Sequence, residues 1–284
     1  MENKDFAIFI LTHGRPNNVI TYNTLLKSGY TGKIYIIIDN EDKSSDEYYK
    51  NFDNVIMFNK KEIAETFDEV DNLEDRRAIV YARNACFEIA KKLGITYFME
   101  LDDDYDRLDY SFKKDLQYNT AHKPIKNINK VFDVLLDFYK ETNIKSIAMG
   151  QGGDFIGGPN SGLWKKQLKR KAMNSFICSI KRPFTFIGRI NEDVNTYTRN
   201  ASVGDLFFTT ALLRLNQKET QSNKGGMTDM YLEKGTYFKS FYTVMLMPSS
   251  VSINTMGIVN RRLHHRISWK NTVPEILEEK YKKN

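Results

Sequence analysis

The chain alternates short, strongly apolar runs with stretches whose apolar residues recur every three or four positions. Residues 6–11 (FAIFIL) form an unbroken apolar run closed by Thr12-His13-Gly14-Arg15-Pro16, and read as a buried strand followed by a loop. Asn17 or Asn18 caps a helix expected to run through Leu26, with Gly29 and Gly32 past its end. A second strand, rich in β-branched residues, is expected over 33–38 and ends at Asp39; a third, shorter one covers 55–58. A helix is predicted over 76–93, where Ala78, Ala82, Ala85, Ile89 and Leu93 keep near-helical spacing and Gly94 stops it. The run 97–104 then passes from apolar residues straight into Asp102-Asp103-Asp104. Strands and helices in this order predict an α/β fold with a mainly parallel sheet and helices on both faces.

The second half has a different texture. A helix is expected around 128–142 and a short strand over 146–149. A glycine-rich stretch follows over 150–162, and 165–171 is strongly basic. The glycine stretch lacks the spacing of a P-loop and reads either as a wall that admits a bulky substrate or as a plain flexible loop. Aromatic and β-branched segments predict added strands near 175–180, 184–187 and 237–247. With no internal repeat and no low-complexity linker, residues 1–284 read as one mixed-sheet domain.

Ligands of open α/β sheets bind outside the carboxyl ends of the strands. Three polar sites fall there: Thr12 to Arg15, Asp39, and the aspartate triplet. Three adjacent carboxylates at a strand end repel one another unless a cation gathers them. Hard divalent ions prefer carboxylate oxygens and share them with substrate phosphates. The competing reading is a solvated acidic turn. Arg15 suits a phosphate or a base. Asp39 suits a base N–H or a ribose hydroxyl, or else caps a turn. Arg76, Arg77 and Arg83 belong to the predicted 76–93 helix; Arg76 and Arg83 share a face, and Arg77 points about 100° away. One of these arginines is expected to reach a diphosphate as a fork donor. Glu192-Asp193 is a second acidic site, either a general base facing a hydroxyl or a surface ion pair. His264-His265, between Arg262 and Arg266, offers an imidazole to a metal or forms part of a basic surface cluster.

Composition adjusts this picture only slightly. Among 284 residues, 41% are hydrophobic and 27% charged, so a folded domain is expected. The net charge of +6 permits a polyanionic partner without requiring one. Two distant cysteines, Cys86 and Cys178, supply neither a disulfide framework nor a zinc ligand set, which favours a reducing cytoplasm. The apolar runs are too short to span a membrane.

Taken together these residues resemble a GT-A glycosyltransferase. Thr12 and Arg15 follow the first strand, Asp39 ends the second, and Asp102-Asp103-Asp104 matches the D-x-D motif. A downstream E-D pair, Glu192-Asp193, precedes late histidines, His264 and His265. Gly152 to Phe155 and the R-x-x-E-D pattern from Arg189 to Asp193 are similar to phage DNA-modifying glycosyltransferases associated with TET/JBP-type base oxygenases. The resemblance implies a GT-A-like, Rossmann-type mixed sheet, with 1–110 as the nucleotide-sugar half and 111–284 as the acceptor half. It implies a UDP-sugar donor contacted by Thr12, Arg15, Asp39, Arg77, Arg83, Asp102 and Asp103. It also implies Mn²⁺ or Mg²⁺ on Asp104 with His265 or His264, and Asp193, or Glu192 in its place, as the base. The acceptor it implies is a 5-hydroxymethyl pyrimidine in DNA, in the host cytoplasm if the chain is phage-encoded. Other acceptors (protein, glycan or lipid), and a nucleotidyltransferase, share the same sequence features.

Overall fold

The computed structural model describes residues 5–71, 76–115, 117–119, 121–151, 174–217, 227–256 and 262–272. Ten strands occur among them: β1 (Phe6–Leu11), β2 (Lys33–Asp39), β3 (Val55–Phe58), β4 (Tyr97–Asp102), β5 (Tyr105–Tyr110), β6 (Ser146–Gln151), β7 (Ser175–Ser179), β8 (Phe207–Gln217), β9 (Val251–Met256) and β10 (Arg262–Ile267). The helices are α1 (Ile20–Lys27), α2 (Ser45–Asn51), α3 (Lys60–Ala64), α4 (Val80–Lys92), α5 (Ile128–Glu141), α6 (Glu192–Ser202), α7 (Met227–Leu246) and α8 (Trp269–Thr272). Strands β1 to β8 form one sheet in the order β3-β2-β1-β4-β7-β6-β8-β5, and β9 and β10 form a separate antiparallel pair. Within the large sheet, β3, β2, β1 and β4 run parallel, β7 is antiparallel to both its neighbours, and β6 and β8 are parallel again. This is a GT-A-like, Rossmann-type sheet flanked by helices.

The sheet separates two apolar layers. Ile8, Ile10, Ile36, Ile38, Met99 and Leu101 face α1 and α5. Ala7, Phe9, Leu11, Ile37 and Phe98 face α4 and α6. Helix α5 presents Ile128, Phe132, Leu135, Leu136 and Tyr139 to the first layer, a helical stripe of the kind that tertiary burial selects. Helix α4 buries Val80, Tyr81, Arg83, Ala85, Cys86, Ile89 and Ala90 against the second. The two-residue period of β4 therefore sends Phe98, Glu100 and Asp102 towards α4, and Met99 and Leu101 the other way.

Several sequence expectations are corrected. Helix α1 starts at Ile20 with Val19 as its cap position, so neither Asn17 nor Asn18 caps it. Asn17 instead links to Glu47 and Asn51 of α2. Helix α4 starts at Val80, so Arg76 and Arg77 lie in the chain leading to it and share no helical face with Arg83. Residues 184–187 are irregular, although Phe184 and Phe186 pack into the core beside Phe87 and Phe176. Residues 237–247, expected as a strand, fall almost wholly in α7. There Phe238, Tyr242 and Leu246 repeat every four residues and pack on Ile190, a helical period that the aromatic content obscures. Residues 152–173, which hold most of the glycine stretch and the basic run 165–171, lie outside the described residues.

Candidate active site

The strand order reverses at β1, with β2 on one side and β4 on the other. A crevice at such a switch point is the usual ligand site of an open α/β sheet. Leu11 is in register with both Ile37 and Asp102, so the loops after β1, β2 and β4 leave the sheet at nearly the same level. The aspartate triplet is divided there. Asp102 ends β4, whereas Asp103 and Asp104 make the turn into β5.

Asp103 turns towards β1. Its carboxylate accepts from Thr12 Oγ1 at 2.6 Å and pairs with Arg15 Nε at 3.1 Å. Thr12 Oγ1 also lies 2.9 Å from the Tyr48 hydroxyl, which accepts from the Arg15 backbone N–H at 2.8 Å. Thr12 has one hydroxyl proton and gives it to Asp103, so Tyr48 must donate to Thr12. The direction of this chain is thereby fixed from Arg15 through Tyr48 and Thr12 to Asp103. Burial pushes the Tyr48 hydroxyl up to about 12 and the Asp103 carboxyl to about 6, the latter opposed by Arg15 and Thr12. The turn backbone is pinned from α1: Thr21 Oγ1 donates to Asp102 O at 2.6 Å and accepts from Tyr105 N at 2.9 Å. Arg15 keeps 30% side-chain exposure.

Asp39 ends β2 and is already well supplied with donors. His13 Nδ1 lies 2.7 Å from Oδ2, and Lys60 Nζ 2.9 Å from Oδ1, which also accepts from Glu41 N at 3.0 Å. Burial raises its pKa, but the His13 and Lys60 contacts outweigh burial and hold the carboxyl below its ordinary range. An ionised Asp39 only accepts, so His13 carries its proton on Nδ1. The His13 side chain is 43% exposed, against 6% for that of Asp39. Gly14 turns the loop with φ of 68°, and its N–H donates to Asp42 Oδ2 at 2.7 Å. Arg76 Nε donates to Glu41 at 2.9 Å.

On the other face, the acids gather on Arg83. Its side chain is fully buried, with Nη2 at 3.0 Å from Asp102 Oδ1, Nε at 3.0 Å from Glu192 Oε1 and Nη1 at 3.4 Å from Glu100 Oε2. Burial would lower the guanidinium pKa, but these carboxylates raise it above its ordinary value. Burial in turn lifts Glu100 to about 8 and Asp102 to about 7, with Arg83 opposing both shifts. Both cysteines are buried and free nearby, and burial raises both thiols.

Glu192 and Asp193 open α6 and are both buried. The approach to them is tightly determined. Gly188 has φ of 77°, and a Cβ there would lie 2.7 Å from Asn195 Nδ2 and 2.9 Å from the Tyr242 ring. Arg189 pairs with Asp71, and its N–H donates to Tyr242 Oη at 3.0 Å. Asn191 is left-handed, with φ of 54°, and its Nδ2 donates to Lys239 O and Thr243 Oγ1, both at 3.0 Å. Burial lowers the Lys239 pKa, while Asp193 and Glu192 draw it up and Arg262 opposes them. Ser240 Oγ donates to Leu263 O at 2.9 Å, which places β10 against the same helix. His264 and His265 follow on β10, with ring centroids 4.3 Å apart.

Asp104 accepts from Gln217 Nε2 at 3.1 Å. Among the described residues no three His, Cys, Asp or Glu side chains gather as a metal cage. Asp102 and Asp104 are the acids of this turn that could share a hard cation with oxygens of a ligand.

Sequence reasoning missed Tyr48, Lys60 and Thr21 as parts of this site, and gave His13 no role of its own within the Thr12 to Arg15 loop. Tyr48 and Lys60 sit in polar, charged helices that carry no local signal of burial. Arg83 was read as a diphosphate contact, although it falls three residues after Val80 and three before Cys86, on the apolar stripe of α4, a spacing that signals burial.

A mainly parallel sheet with an acidic turn at its switch point and a second acidic pair at the start of α6 is the layout of a GT-A-like fold. A family model, TET-Associated Glycosyltransferase, matches residues 6–226. The chain belongs to that family and is a glycosyltransferase. No curated protein matches it significantly. Among the described residues no helix is long and apolar enough to cross a membrane.

Proposed function

We propose that this glycosyltransferase moves a hexose or pentose from a UDP-sugar to a 5-hydroxymethyl pyrimidine in phage DNA, with inversion at the anomeric carbon. The observation that carries the reading is the aspartate turn at the switch point, tied through Asp103 to the loop after β1. In this reading Arg15, oriented by Asp103, and Arg77 meet the diphosphate. Asp39 acts on the base through His13, and Asp102 meets the ribose. Asp104, with His264 or His265, would hold Mn²⁺ or Mg²⁺, a Lewis acid that would neutralise charge on the leaving diphosphate. Asp193 takes the proton from the acceptor hydroxyl as its oxygen bonds to the anomeric carbon, and the bond from that carbon to the diphosphate breaks. A single displacement of this kind inverts the centre.

Support for DNA comes from charge. Arg262 and Arg266 are exposed on β10, either side of the histidines, and Lys270 follows. Cations along one edge neutralise phosphates, so acceptor affinity should fall steeply with salt. The test is mass spectrometry of nucleosides after hydroxymethylated DNA has been incubated with the chain, Mn²⁺ and a panel of nucleotide sugars. A hexosyl or pentosyl adduct on the modified base, with release of nucleoside diphosphate, is expected. Transfer only to protein, glycan or lipid acceptors would remove DNA from the reading. Release of pyrophosphate would remove sugar transfer itself.

A further inference from the structure

Arg83 was expected to reach the donor diphosphate, yet its side chain is fully buried and its ion-pair partners among the described residues are three carboxylates. They are Asp102 at the end of β4, Glu192 at the start of α6, and Glu100 two residues before Asp102. The guanidinium lies beside an edge-to-face ring pair, 4.9 Å from the Phe176 centroid and 5.7 Å from that of Phe186. The next residue strengthens the same tie. Asn84 Nδ2 donates to Phe186 O at 3.0 Å, and Phe186 N donates to Asn84 Oδ1 at 2.9 Å. Consecutive residues of one helix thus hold the end of the donor strand and the segment leading into the E-D pair.

Stability alone is a poor account of this arrangement. One cation faces three carboxylates, and buried ion clusters are often matched or exceeded in stability by apolar packing. What the cluster supplies is geometry. A planar fork fixes two carboxylates at once, and neither a lysine nor an apolar side chain can do that.

We infer that Arg83 is a positioning residue that locks the donor strand to the base helix, setting Asp193 against the sugar donor held at Asp102 and Asp104. The inference rests on the sugar-transfer reading above. It gives Arg83 no contact with substrate.

The test uses the full chain carrying Arg83→Lys, Arg83→Met, Glu192→Gln and the Arg83→Met/Glu192→Gln pair. Each is measured for kcat per folded molecule, donor KM, UDP–Mn²⁺ affinity by calorimetry, and melting temperature. Both Arg83 variants should lose about 30-fold or more in kcat, with UDP affinity within about threefold of wild type. Arg83→Lys should fare no better than Arg83→Met, because a point charge does not bridge two acids. The double variant should be no worse than Arg83→Met alone, the signature of residues acting as one unit. Should Arg83→Met fail to fold, Arg83→Lys and Glu192→Gln decide the matter. Recovery of kcat by lysine would reduce Arg83 to charge neutralisation and overturn the inference. So would a tenfold or greater loss of UDP affinity with kcat preserved, since Arg83 would then be a donor ligand. An inactive wild type removes the sugar-transfer reading and the inference with it. An active wild type whose Arg83 variants turn over normally removes the inference alone.

Discussion

The two sides of the site are built by different means. At the donor side, Thr12, Asp39 and Asp102 sit at the ends of adjacent parallel strands, and sheet register alone brings them level. At the acceptor side, Glu192 and Asp193 follow an irregular segment that contains a left-handed glycine and a left-handed asparagine. Side chains from α4 and α7 fix that segment from outside. Regular pairing specifies a position cheaply and repeatedly. An irregular approach needs each turn to be enforced by its own contacts, and it becomes sensitive to single atoms.

The sharpest test of the division is kinetic. Asp193→Asn should abolish transfer, by about a thousandfold or more in kcat, and leave UDP–Mn²⁺ affinity nearly intact. Asp104→Ala should instead weaken metal-dependent UDP binding by tenfold or more. Calorimetry with UDP and Mn²⁺ separates the two. Equal losses of binding in both would merge the sides and contradict the role assignment.

A second test compares glycines. Gly188→Ala combines a positive φ with close contacts at 2.7 and 2.9 Å, to Asn195 and Tyr242. Left-handed strain and overpacking together should cost about 3 kcal/mol or more in urea denaturation. Gly14 has φ of 68°, but a Cβ there meets nothing within 4 Å. Gly14→Ala should therefore cost only the backbone term, about 1–2 kcal/mol. Similar values for the two would show that the approach to α6 yields more readily than its packing implies.

The same division governed what the sequence could disclose. Apolar runs and period placed β1 to β4, and the end of β4 put the aspartates at the sheet's carboxyl edge. Asp39 was found for the same reason. Its donors were not, because His13 and Lys60 arrive from a loop and from a helix 20 or more residues away, and pairing over such distances leaves no local pattern. In the second half, aromatic content was read as strand. Tyr242 shows why that failed: it faces Arg189 and Gly188 because Phe238, Tyr242 and Leu246 share one helical stripe. Arg83 taught the opposite lesson. The sequence reading sent it to a diphosphate, yet its place on the buried stripe of α4 was a local signal of internal acids that went unused.

A pH dependence reports the proton balance of the cluster that joins the two sides. Glu100 lies under both of them, and burial lifts it to about 8 from an ordinary value of 4.5. Between those values the folded chain holds a proton there that the unfolded chain has lost. Folding stability should therefore fall as pH rises from about 4.5 to about 8, and level off above that. This is the reverse of the usual carboxylate in an ion pair, whose stabilisation grows with pH. Glu100→Gln removes the titration and keeps Asp102, lifted to about 7, on the same guanidinium, so the difference between the proteins reports chiefly Glu100. Urea denaturation at pH 5 and pH 8.5 should show Glu100→Gln gaining on wild type as pH rises. If wild type gains instead, the Arg83–Glu100 attraction outweighs burial, Glu100 is ionised in the folded chain, and the tie between the two sides is more highly charged than these pKa values allow.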